Sequence, residues 1–337
     1  MKNVLFTSIA MFVFIPMILM ANIGRILVEN TDGGSSLHES FQSAINTANH
    51  GATIYLPAGY WNENVTISKR LTIYGVGHFP NSSPVSPGTS RVSSITFSGD
   101  NDSTVIQGLI IDGTLLHNSA SKHHYYLRCK IGALNLATWG IVSTTNHIIK
   151  ECAIQALFTY SAKAPQNIVV TNCYIDYIGG FDGQNIYFVN NIIGPNNNFQ
   201  YGASKNLLIE NCIFTGAKAD HFTNLSSSII NNCIFVSATV NWGSNSGDNN
   251  ILGQSCNDIF VDSDCAEFSY TSDYHLDADS PGKDAGTDGK DIGIYGGDSP
   301  FKENGLPFTP QIKEFSVSRN PVDGKIQVNA TAVSQTK

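Results

Sequence analysis

The stretches NIVVTNCYI (167–175), NIYFVNNII (185–193), NLLIENCIF (206–214) and SIINNCIF (228–235) repeat one pattern. The unit is an apolar triplet (opened by Ser228 in the last copy), a pair of which the second is Asn and the first is polar except at Val189, then Cys (or Asn191), then an apolar residue two places on. Weaker copies precede them: RLTIYGVG (70–77), STVIQGLII (103–111), HYYLRCKI (124–131) and HIIKECAI (147–154). Cys129, Cys152, Cys173, Cys212 and Cys233 are separated by 23, 21, 39 and 21 residues, and Asn191 divides the long gap into 18 and 21. Gly108 stands 21 residues before Cys129. A period of this size in a chain this rich in β-branched residues and Asn marks a solenoid.

The pattern has a direct physical reading. The triplet is a short strand, the polar pair a bend, and Cys-x-Ile the next strand, with Cys and Ile both inward because side chains alternate. Asn172, Asn190, Asn211 and Asn232 take the same place in successive coils, and Asn tolerates the left-handed conformation a one-residue bend needs. Their amides are expected to hydrogen-bond from coil to coil as an asparagine ladder. Gln107, Arg128 and Glu151 interrupt it in the earlier coils. Strands about 4.8 Å apart set the five cysteines in one internal column, where thiols on parallel strands are poorly placed for disulfides and act as small apolar groups. Cys256 and Cys265 lie outside the column and could pair with each other. The fold class expected is therefore all-β: a single-stranded right-handed parallel β-helix of coils of about 21 residues.

Working outward, residues 36–48 carry a helical stripe of Leu37, Phe41, Ala44, Ile45 and Ala48, with Ser36 and Glu39 as a capping box. This predicts an N-terminal amphipathic helix capping the open end of the stack. Strands are expected at 53–56, 65–67 and 71–74, and a Pro- and Ser-rich loop at 78–91. Met1-Lys2-Asn3 followed by the apolar run from Val4 to Met20 reads as a signal peptide over 1–21. The protein is then expected to be secreted or on a bacterial cell surface, with no membrane span in the mature chain. The β-helix is expected over 22–299, and a linker with a C-terminal β-hairpin around Pro321-Val322-Asp323-Gly324 over 300–337. The chain is 42% hydrophobic but only 14% charged, with net charge −8 and no Lys/Arg cluster, which argues against a nucleic-acid partner.

The opening IYLPAGYWNENVTISKRLTIYGVG (54–77), the Asn-Cys coils and the closing SPGKDAGTDGKDIGIYGG (280–297) together resemble uncharacterised exported bacterial proteins of the right-handed parallel β-helix, pectin-lyase-like superfamily, over roughly residues 26–297. That superfamily includes polysaccharide lyases, glycoside hydrolases, esterases, adhesins and proteins of no known activity, so the resemblance constrains function weakly. The Gly-His-Gly and paired aspartates of polygalacturonase-like hydrolases are missing. Their Arg-x-Lys occurs only as Arg128-Cys129-Lys130, at a bend. Asp220-His221 lacks the Trp-x-Asp-His context of pectate lyases.

Residues eight to ten places after the column form a candidate strip: Thr138, Trp139, Tyr160, Asp182, Gln200, Tyr201, Asp220, His221, Asn241 and Trp242, with Lys163 beside Tyr160. Rings that stack on sugar faces and polar groups that hold hydroxyls suit a polysaccharide or cell-surface glycan. Asp182, Asp220 and His221 are the catalytic candidates, and Trp139, Tyr160, Lys163, Gln200, Tyr201, Asn241 and Trp242 the substrate-binding ones. Two functions stay open: a polysaccharide lyase or glycoside hydrolase, and a non-catalytic cell-surface or matrix adhesion protein. No cofactor is indicated firmly, although Asp284, Asp288 and Asp291 could hold Ca²⁺ or serve as turn residues.

Overall fold

Alternation along the repeated triplets puts one inward residue per coil on a single line, from Ile54 through Ile73, Ile106, Tyr126, Ile149 and Phe188 to Ile230, all buried. A second line runs from Trp61 and Val92 through Ile131 and Ile175 to Phe214 and Phe235. These lines are the inner faces of two long sheets of 12 and 9 strands. Within them, strands of successive coils pair in parallel, for example Val169 with Tyr187 and Ile131 with Ile154. The computed structural model, a right-handed parallel β-solenoid, describes residues 24–80, 88–138, 144–160, 165–196, 199, 202–308, 310–320 and 324–333. The apolar N-terminal segment and residues 81–87 of the expected loop lie outside these. Among the described residues no helix is long and apolar enough to cross a membrane.

The column forms as the spacing predicts. All five cysteines are buried free thiols, and backbone N–H groups of the column donate to the next member: Cys129 to Cys152 Sγ and Cys152 to Cys173 Sγ, both at 3.4 Å. Asn191 takes its turn by accepting from the Cys173 N–H at 2.9 Å. The alignment on Gly108 is off by one. Ile110 pairs with Lys130, so Leu109 holds the column position and Gly108, with φ 70°, is the bend beside Arg128. Cys256 and Cys265 form a disulfide.

The left-handed bends are confirmed, but the ladder is elsewhere. Arg128, Glu151, Asn172, Asn190, Asn211 and Asn232 all have φ between 49° and 56°. The amides of this row turn away from one another to a returning C-terminal segment. Asn172 Nδ2 donates to the carbonyls of Ile294 and Gly296, both at 2.9 Å. Asn211 holds Thr287 through its N–H (2.9 Å) and hydroxyl (3.1 Å), and Asn232 donates to Ala285 O at 2.8 Å. A coil-to-coil ladder does exist at the opposite bend. There Asn185 donates to Asn167 and Asn167 to Asn146, each at 2.8 Å.

The returning segment, residues 282–306, acts as a strap along the bend row, from Asn232 in the later coils back to Arg128, whose Nη1 donates to Leu306 O at 2.7 Å. Before it, residues 256–276 fold over the outer face of the nine-stranded sheet. There Tyr174, Ile192, Ile213 and Ile234 meet Ile259, Phe260, Tyr274 and Ile292 in a second apolar cluster.

At the N-terminal end the helix is shorter than its stripe. Ser35–His38 is a strand antiparallel to Ile26–Glu29, and the helix spans Phe41–Thr47, burying Phe41, Ala44 and Ile45. Its cap is Ser40. The expected Ser36–Glu39 box does not form because Glu63, from the first coil, accepts the N–H groups of Phe41 and Gln42 at 2.8 and 3.0 Å. Gln311–Arg319 and Ile326–Val333 pair as an antiparallel hairpin with Val317, Ile326 and Val328 exposed.

Candidate functional site

Backbone register sets one outward residue per strand three places after the column: Asp112, Gly132, Gln155, Asp176, Gly194 and Thr215. Two of these are Gly for want of room. A Cβ at Gly132 would sit 2.3 Å from Asp112 O, and one at Gly194 would sit 2.6 Å from Asp176 Oδ1. Gln155 and Asp176 therefore stand between bare backbone. The neighbouring outward row begins with Arg91, Ile110 and Lys130. From Tyr174 onward that row is covered by the C-terminal segment, and before it the face is open. The edge of the cover is Glu267 and Phe268, just after the Cys256–Cys265 disulfide. Tyr174 Oη anchors it by donating to Ala266 O.

The result is a cleft of about 290 Å³ lined by Asp112, Lys130, Gln155, Asp176, Glu267 and Phe268 among others. Asp176 is buried, and its Oδ1 has no hydrogen-bond partner among the described residues. Burial, with the nearby Glu267 carboxylate, pushes its pKa up to about 7, so it holds a proton near neutral pH. Lys130 Nζ lies 4.8 Å from the Tyr270 ring centroid. Burial and the Arg91 guanidinium lower its pKa. Arg91 is itself committed to Asp112 at 2.8 Å.

The cleft is one of a series of hollows. A second, of about 250 Å³, shares Phe268 with it and adds Phe79, Tyr270, Tyr295 and Phe301. A third, of about 590 Å³, shares Tyr295, Phe301 and Glu303 with the second. The shared side chains set the three hollows side by side as an interrupted trough, lined by aromatic rings, acids and amides.

Among the described residues, the strip chosen from sequence does not present one exposed face. Asp182 is exposed and paired with Lys205 at 2.9 Å. Asp220 is exposed in a turn, its carbonyl accepting from the Thr223 hydroxyl. His221 is buried among Phe214 and Phe235, its Nε2 3.0 Å from Gly216 O, inside the solenoid rather than on its surface. Trp242 packs half-buried on Phe222 and closes the apolar interior. Asn241 is exposed, and so is Tyr160 beside Phe158. Trp139, Lys163, Gln200 and Tyr201 lie outside the described residues. Asp291 Oδ1 accepts the Asp284 N–H and Asp288 Oδ1 the Lys290 N–H, both at 3.1 Å, while Asp291 also faces Lys283 at 3.7 Å. These aspartates thus serve their own turn.

Sequence reasoning missed Asp176 and Lys130 as site residues. The available signal was a carboxylate three places after a column Cys, with Gly194 at the same place in the following coil. No protein-family model matches the chain, and no curated protein matches it in sequence.

Proposed function

We propose that this is an exported, pectin-lyase-like β-helix protein that binds a polysaccharide along the trough and cleaves it beside Asp176. The carrying observation is a buried carboxyl with an unpartnered oxygen, opening on a cleft that also holds Glu267 and Lys130. Asp176 donates its proton to the departing glycosidic oxygen, which is the role a carboxyl protonated near pH 7 suits. Glu267 is the second carboxylate that glycoside chemistry requires, and it takes a proton from the water whose oxygen bonds to the anomeric carbon as the glycosidic bond breaks. The half-buried rings of Phe268, Tyr270 and Tyr295 stack on successive sugars. The apolar run of Val4 to Met20 supports export.

The test is product formation from a panel of acidic and neutral polysaccharides, reading new reducing ends and the ultraviolet absorbance of unsaturated uronates. Activity is expected to fall above about pH 7 as Asp176 loses its proton. Asp176→Asn is expected to lose roughly 100-fold or more in rate with its melting temperature preserved. Product formed equally well by Asp176→Asn would remove the proton donor from this cleft. The exposed Val317, Ile326 and Val328 of the hairpin favour a second reading, a non-catalytic surface adhesion protein. Polysaccharide retention on an affinity gel without product would select it.

A further inference from the structure

We infer that Asp273, His275 and Glu303 form a binding site for a divalent first-row metal ion of the Zn²⁺ class. The three donor atoms lie within 4.8 Å of one another. His275 Nδ1 is 2.7 Å from Asp273 Oδ1 and 3.7 Å from Glu303 Oε1. Ligand atoms around a tetrahedral ion with bonds of about 2.0–2.1 Å are roughly 3.3 Å apart, so small side-chain shifts open this triangle to admit one.

The elements fix these donors before any ion arrives. Asp273 and His275 alternate on the strand Asp273–Leu276, so they share a face. Glu303 comes from the strap. The Tyr295 ring stacks on the His275 imidazole at 3.8 Å and 9°, holding Nδ1 towards the carboxylates. The Tyr295 hydroxyl donates to Glu303 Oε1 at 2.9 Å, the kind of outer hydrogen bond that orients a metal-binding carboxylate. Among the described residues neither carboxylate has a Lys or Arg partner; His275 is the sole basic group against both. The imidazole nitrogen selects a borderline ion over Ca²⁺, which takes oxygen ligands. His275, Glu303 and Asn304 line the open third hollow, so the remaining coordination positions face solvent.

The measurement is calorimetric titration of the folded full-length chain with ZnCl₂ and, separately, CaCl₂ at pH 7.5. The five free thiols are buried and do not compete in the folded protein. One equivalent of Zn²⁺ is expected to bind and raise the melting temperature, with Ca²⁺ much weaker. His275→Ala and Glu303→Gln are expected to abolish the shift. Tyr295→Phe, which keeps the stacking and removes the hydroxyl, is expected to weaken binding about 10-fold. Should His275→Ala not fold, electron spin-echo modulation of the Cu²⁺-loaded wild type reads imidazole ligation directly. No Zn²⁺ binding, Zn²⁺ binding equal in wild type and His275→Ala, or Ca²⁺ binding as tight as Zn²⁺ would each overturn the site.

Discussion

Arg128 and Glu151 occupy left-handed bends that the other coils give to Gly or Asn, a conformation costing about 1–2 kcal/mol for an ordinary residue. What holds them there is a buried ion pair of 2.6 Å, completed by the bond from Arg128 to Leu306 O and by the Phe308 ring 3.8 Å from the guanidinium carbon. Such a pair costs much to bury and more to break. Glu151→Gln leaves the guanidinium buried without its counter-charge, and is expected to lower stability by about 3–5 kcal/mol, read from urea unfolding. A loss below about 1 kcal/mol, the value of an exposed pair, would show that the bend is solvated. From sequence these two residues read as mere breaks in the Asn row, because nothing local marks their partners. The cysteine column, by contrast, was plain, since it depends only on spacing and on small apolar side chains facing inward.

The strap and the hairpin follow one another in sequence but differ in attachment. Phe301 and Leu306 of the strap are buried, whereas the hairpin side chains at 316–320 and 324–332 are exposed. A chain ended after Phe308 is therefore expected to melt within about 2 °C of the full chain, since surface changes of about 0.5 kcal/mol move a large domain little. A chain ended after Asp298 loses both buried side chains and the carbonyl on Arg128, and is expected to melt several degrees lower. Differential scanning calorimetry of the two truncations decides this, and equal melting would show that the strap is not needed. The stacked strands were legible because each coil repeats its neighbour. The strap was not, because it has no period and every partner it meets lies far away in sequence. The cleft was lost for the same reason: the wall formed by Glu267 and Phe268 comes from outside the repeat.

At the scale of the whole molecule, the interior of the solenoid is not uniformly apolar. His117, His124 and His147 are buried with ring centroids 5.0–5.2 Å apart, and the Tyr126 hydroxyl lies 2.6 Å from His117 Nε2 and 2.9 Å from His124 Nδ1. Burial lowers the pKa of His124 to about 4, and that of His78 to about 3, and holds His117 and His147 well below 6.5. With folded values below the unfolded one, the stabilisation is complete above about pH 6.5. It declines as pH falls towards the folded values, by about 1.4 kcal/mol per unit for each histidine. Asp176, whose pKa is raised, acts in the opposite sense between about pH 4 and 7 but is one group against four. Thermal melts from pH 8 to 5 are expected to show a steep fall below 6.5, and His147→Asn a shallower one. An unchanged slope in that variant would mean the histidines are not the cause. The sequence shows these histidines, but only the stacking of coils reveals that three of them share one interior.

The strap has one more consequence, for the order in which the protein can be assembled. Coils can stack in turn, each on the one before, using contacts some 20 residues apart. Arg128 waits 178 residues for Leu306, and His78 waits 192 for Tyr270. Closure of those distant contacts is slow compared with stacking. The rib of Tyr174, Ile192, Ile213 and Ile234 waits likewise for residues 256–276, with 92 residues between Tyr174 and Ala266, and until they fold back it stands bare as a sticky seam down one side of an otherwise finished stack.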